Sequence, residues 1–138
     1  MGIGRLALAG VLLGIAGLWA ISTWSPATPL TAVSLALLLH GLGVGLFQVA
    51  YTDLVIAALP AADRGVAGSL TILTRTVGVV GGASVLSAAF QYFELRAARA
   101  GVPAGQAFLD GFQATFGYAA AALALCLAIS LLRPRMWA

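Results

Sequence analysis

The chain has 138 residues, of which 62% are hydrophobic and only 8% charged; an average soluble domain carries roughly a quarter charged residues. With a mean hydropathy of +1.05 there is too little polar surface to coat a water-exposed globule, so the composition points to an integral membrane protein in contact with the lipid bilayer. At roughly 20 apolar residues per crossing the length allows four or five spans, and the fold class expected is an all-α, membrane-embedded helix bundle.

The seven arginines, against four acids, are scattered singly along the chain, which argues against a nucleic-acid partner. A single cysteine and a single histidine exclude a disulfide framework and a thiolate or imidazole metal cluster.

From Leu6 to about Thr23 the sequence is apolar and free of charge. It is read as a retained first span rather than a cleavable signal, because another span follows at once and no cleavage site stands out from the Ala/Gly background. Pro26 and Pro29, among several hydroxyl residues, interrupt the helix, since proline removes a backbone donor and clashes with the preceding turn. A second span is expected over about 31–59, a polar loop at Pro60–Gly65, and a third span over 66–93 that runs on into the mixed-charge tail Glu94–Arg99. Gly101 with Pro103 shortly after gives a helix stop. Gln106–Asp110 reads as a short re-entry, followed by a fourth span over 111–132 that contains Cys126 as a small apolar filler.

With four spans both termini share one side with the Pro60–Gly65 loop. That side carries Arg5, Arg64, Arg133 and Arg135, against Arg96 and Arg99 on the other. The positive-inside bias therefore puts both termini in the cytoplasm. Trp24, Tyr92, Phe93 and Trp137 fall at span ends, where amphipathic rings prefer the headgroup level. The glycine pairs Gly10/Gly14, Gly41/Gly45 and Gly78/Gly82 have four-residue spacing, as expected of faces where helices approach closely in lipid.

Two charges lie inside spans. Asp53 stands roughly 9 Å from the end of its helix near Leu59, and Arg75 roughly 14 Å beyond Val66, at 1.5 Å per residue. A lone arginine at mid-bilayer costs about 2.5–3.5 kcal/mol even on the lenient scale, so the two are expected to face protein or water and to share a partner. Three readings stand side by side: an ion pair fixing the register of two helices, a part of a substrate or proton path, and snorkelling of the arginine to the headgroups. Thr71, Gly78 and Gly82 fall within about 60° of Arg75 around the helix, and His40, Gln48 and Tyr51 span an arc of about 80° on the second helix, at ~100° per residue. That arc could line a cavity or satisfy itself within the bundle. No metal site, Ser/His/Asp set or paired carboxylate is present, so an enzyme is not expected.

The stretches Gly41-Leu-Gly-Val-Gly-Leu-Phe47, Tyr51-Thr-Asp53, Leu59-Pro60, Asp63-Arg-Gly-Val-Ala-Gly-Ser-Leu70 and Thr74-Arg-Thr-Val-Gly78, with Gly105-Gln-Ala-Phe-Leu-Asp-Gly-Phe112 before the last span, resemble the major facilitator superfamily. The likeness is to the C-terminal half of the fourteen-helix drug:proton antiporters, and it covers nearly the whole chain. The resemblance implies a multidrug or small-molecule exporter of the plasma (cell inner) membrane, of which this chain supplies the last four helices. Its partners would be the missing N-terminal helices, a small-molecule substrate and protons; no cofactor is implied. It also implies a cytoplasmic Pro60–Gly65 loop, and it assigns no role to Asp53. An independent four-helix accessory or assembly subunit is the alternative.

Overall fold

A computed structural model describes residues 2–60 and 64–132. Asp63, Arg133, Arg135 and Trp137, which bear on the expected topology, lie outside the described residues. Four helices follow in order: α1 Ile3–Ser22, α2 Leu30–Ala57, α3 Arg64–Arg99 and α4 Ala104–Leu131. Each is long and apolar enough to cross a membrane. At 1.5 Å per residue, α1 spans about 30 Å and α3 about 54 Å, so α3 exceeds a hydrocarbon core of about 30 Å.

The expected spans are met in number and nearly in position, with one correction at the far end. The Glu94–Arg99 tail forms the last turns of α3, as the run-on of the third span and the stop at Gly101 imply. The Gln106–Asp110 segment is not a re-entry, because α4 already starts at Ala104 with Pro103 as its N-cap. Between them the chain turns sharply. The amide of Val102 donates to the Ala97 carbonyl (3.2 Å) and that of Gly101 to the Ala98 carbonyl (3.0 Å), and Gly101 takes φ +83°. This is the Schellman arrangement, in which a left-handed residue satisfies the last carbonyls of the helix. One residue of coil then suffices before Pro103, whose fixed φ suits a helix start. The Gln106 amide donates to Asp110 (2.9 Å) one turn along α4.

The interior is made of small residues. Buried positions are Ala7, Gly10, Gly14, Gly17 and Ile21 on α1, Ala36, Gly43 and Ala50 on α2, and Ala107, Gly111, Thr115 and Ala120 on α4. Large apolar side chains point outward, with Leu30 78%, Val66 69% and Leu132 81% exposed. A water-soluble fold could not leave so much apolar surface uncovered, whereas lipid accepts it and rewards close backbone approach instead.

Helices α1 and α2 form an antiparallel pair, and α1 steps 3-4-3-4 along its buried seam, the 3.5-residue period of left-handed coiled packing. Gly10 lies against Phe47 and Gly43, Gly43 against Gly14, and Gly17 against His40. The same register continued sets Ala7 opposite Ala50 and Ile21 opposite Ala36. At these glycines a side chain has no room: a Cβ on Gly10 would come 2.5 Å from the Phe47 amide nitrogen, and one on Gly17 2.7 Å from the His40 Cα.

Of the three expected glycine pairs, Gly10/Gly14 lies in this seam, while Gly41, Gly45, Gly78 and Gly82 all face open space. On α2 the seam follows the 3.5-residue period through Gly43 and not the four-residue pair on either side of it.

Helix α4 closes on α1, and α3 joins α4 through an aromatic cluster at the loop end. The Gln113 amide donates to the Trp24 carbonyl (2.7 Å), and the Trp24 and Phe112 rings stack at 5.9 Å. Phe93 stacks on Tyr118 at 5.2 Å, and Phe90 meets Phe108 edge-on at 5.2 Å. A Cβ at Gly111 would stand 3.1 Å from the Glu94 backbone nitrogen, so α3 and α4 approach backbone to backbone there. Toward Arg64, α3 leaves the bundle: none of its most apolar window is buried. The four helices form a wedge, pinned at the aromatic end and open between α2 and α3 at the other.

Candidate functional site

Helix α2 meets different surroundings around its circumference, and these sort the polar residues. His40 lies on the α1 side. It is half-buried, with Nδ1 3.2 Å from the Gly14 carbonyl oxygen. A carbonyl only accepts, so Nδ1 carries the proton. The expected arc of His40, Gln48 and Tyr51 is therefore divided: His40 is taken into the α1–α2 seam, and the other two turn toward α3. The division follows from the seam period, since α1 covers α2 at every third or fourth residue and draws in His40 between Ala36 and Gly43.

The open side of the wedge holds a groove of about 320 Å³. Val44, Phe47, Gln48 and Tyr51 form the α2 wall, and Thr74, Arg75 and Val79 the α3 wall. The α2 residues recur at three- and four-residue steps, which puts them on one helix face. Phe47 and Tyr51 stack at 6.2 Å with 14° between the rings, giving that wall a flat aromatic surface. Thr74 does not offer its hydroxyl proton to the groove, since it donates to the Leu70 carbonyl at 2.9 Å. The hydroxyls of Thr52, Thr76 and Ser84 likewise donate to carbonyls four residues back. Such back-bonding satisfies a hydroxyl within its own helix where water is excluded.

Arg75 is exposed to this groove. Eleven residues into α3, it stands roughly 16 Å from the Arg64 end of the helix. Asp53 lines a neighbouring surface depression with Gly45, Gln48, Val49 and Thr52, which shares Gln48 with the groove but reaches neither Arg75 nor the α3 wall. The structure does not bring Asp53 and Arg75 to one site, and no ion pair joins them among the described residues. The reason lies in helix phase: from Tyr51, which faces α3, two residues of α helix turn the chain through about 200°.

One group was not singled out in the sequence. Glu94 is half-buried and lines a groove of about 510 Å³ between α3 and α4 with Ser87, Gln91 and Thr115. The spacing of Ser87, Gln91 and Glu94 at i, i+4 and i+7 places them on one face of α3, a signal hidden by reading Glu94 only as the start of a charged tail. Among the described residues no group of three or more His, Cys, Asp or Glu side chains could hold a metal ion.

With this geometry in hand, no protein-family profile, curated protein or solved structure matches the chain.

Proposed function

We propose that the chain is the C-terminal four-helix portion of a major facilitator exporter, a secondary transporter that moves small molecules, drugs among them, at the expense of a proton gradient. In this reading it lies in the plasma membrane with both termini and the Pro60–Gly65 loop cytoplasmic. The observation that carries it is the α2–α3 groove, where Arg75 stands roughly 16 Å along an apolar helix, beside an amide and a phenol on an otherwise apolar wall. An arginine at such depth is expensive in lipid and marks a substrate or ion path by default.

The open wedge supports the same reading. Alternating access in transporters of this kind is the rocking of one repeat against another around a site at their interface. The uncovered face of α3 is a surface that further helices would cover, and the groove would then form one wall of the shared site.

The test is proton-gradient-dependent export of fluorescent dyes, cationic and anionic, by cells expressing residues 1–138 alone or the same residues within a longer reading frame. Export by the longer form only is the expected result. Export by the short chain alone would replace the reading with a self-sufficient oligomeric transporter. A coding sequence with no membrane spans in frame upstream of Met1 would favour the independent accessory subunit.

A further inference from the structure

The charge in the α2–α3 groove has one sign. Arg75 is the charged side chain among its lining residues, while Asp53 lines an adjoining depression that shares only Gln48 with the groove. The remaining polar groups that can turn toward a ligand are the Tyr51 hydroxyl and the Gln48 amide, both able to donate hydrogen bonds; the Thr74 hydroxyl proton is engaged by Leu70. Beside them the stacked Phe47 and Tyr51 rings and the valines Val44 and Val79 present an apolar surface.

We propose that this groove binds a molecule carrying a single negative charge on an apolar body, with the Arg75 guanidinium as its charge partner and the Phe47–Tyr51 wall as the seat of the apolar part. A guanidinium suits a carboxylate or a phosphate oxygen pair because its donors lie in a planar fork. A cationic ligand would meet a like charge where water is scarce and screening weak. The volume of about 320 Å³ falls at the small end of ligand pockets, about 300–1,000 Å³, which fits a compact organic acid or the head and upper chain of a lipid. The inference deepens the transporter reading, since under that reading the bound anion is the transported substrate; the binding itself requires no transport.

Two sources could supply this chemistry, a soluble amphiphilic acid or an anionic lipid, and binding measurements separate them. The full chain, in nanodiscs of zwitterionic phosphatidylcholine, is titrated with a fluorescent long-chain carboxylate and with the methyl ester of the same probe. Saturable binding of the acid, weaker by about tenfold or more for the ester and for Arg75→Gln, is expected from the loss of a charge-assisted contact. Arg75→Lys should retain part of the affinity, and circular dichroism of each variant checks that the helices persist.

Displacement of the probe by phosphatidylglycerol built into the disc identifies a lipid as the occupant, and its failure to displace identifies the soluble acid. Either outcome supports the anion site. Equal binding of acid and ester, no saturable binding by the unmodified chain, or undiminished binding by a folded Arg75→Gln variant overturns it. Failure of the transporter reading would instead show as saturable binding without dye export by the longer form.

Discussion

Replacing Gly43 by alanine tests the packing of the bundle most directly. The added Cβ would meet the Gly14 amide nitrogen at the closest point, the Gly10 carbonyl oxygen at 2.7 Å and the Gly14 Cα at 2.9 Å. All three are backbone atoms of α1, so no side chain can rotate away and the two helices must part. Restoring ordinary contact of about 3.5–4.0 Å requires a separation of roughly 1 Å, enough to forfeit about a quarter to a half of the dispersion attraction at each neighbouring contact. Overpacking in a well-filled core costs about 1–3 kcal/mol, and with backbone on the facing side the expected loss lies at the upper end, about 2–3 kcal/mol. Gly41→Ala and Gly45→Ala are the controls: nothing lies within 4 Å of either new Cβ, so each should stay within about 0.5 kcal/mol of the parent.

The assay is reversible unfolding in mixed micelles, followed by helical circular dichroism as the denaturing detergent fraction rises. A Gly43→Ala variant as stable as the parent would refute the seam. So would a Gly41→Ala variant that loses as much as Gly43→Ala, because the contact face would then follow the four-residue pair and not the 3.5-residue period.

Two further outcomes follow from the same geometry. Asp53 and Arg75 line different grooves, so the stability changes of Asp53→Asn and Arg75→Gln should add to within about 0.5 kcal/mol in a double-mutant cycle; a coupling above about 1 kcal/mol would restore the pair expected from the sequence. Reporter fusions after Thr28, Asp63, Val102 and Trp137 should read outside, inside, outside and inside, following the arginine asymmetry, and a periplasmic signal at Asp63 would reverse the orientation.

The helices themselves were legible because the cues are local and strong. Pro26 and Pro29 stop one apolar run, so α1 and α2 lie within three residues of their expected limits, and Gly101 with Pro103 marks the end of α3. The start of α4 was missed by seven residues. Gln106 and Asp110 look like loop residues one at a time, but at i and i+4 they bond to each other on the helix surface. Helix contacts were harder to read, since in so glycine-rich a chain a four-residue spacing recurs whether or not it packs. What separates Gly43 from Gly41 and Gly45 is its register with Gly10 and Gly14 across a second helix, which no single-helix pattern contains. The site was legible in part for the same reason. Gln48, Tyr51 and Arg75 converge, whereas His40 is drawn off by the α1 seam and Asp53 by its helical phase, which already sets it on another side of α2 from that arc.

The weakest joint of the bundle and its charged groove are the same place. Where α1 and α2 meet, glycines bring backbone against backbone, and where α3 meets α4, stacked rings hold the far end. Between α2 and α3 neither device operates: Gly78 and Gly82 face open space, and valines, a phenol, an amide and a guanidinium line the gap. In lipid, attraction between helices comes mainly from packing and interhelical hydrogen bonds, so the joint with the sparsest packing is the least costly to open. Movement of α3 about its aromatic anchor would change the distance between Arg75 and the Phe47–Tyr51 wall while leaving the α1–α2 seam intact. A bound anion touching both walls would oppose that opening, and by linkage a change that favours opening would weaken the anion's hold. Under the proposed transporter reading, opening of this joint and binding in this groove would be two sides of one equilibrium, as a wall that rocks in alternating access requires.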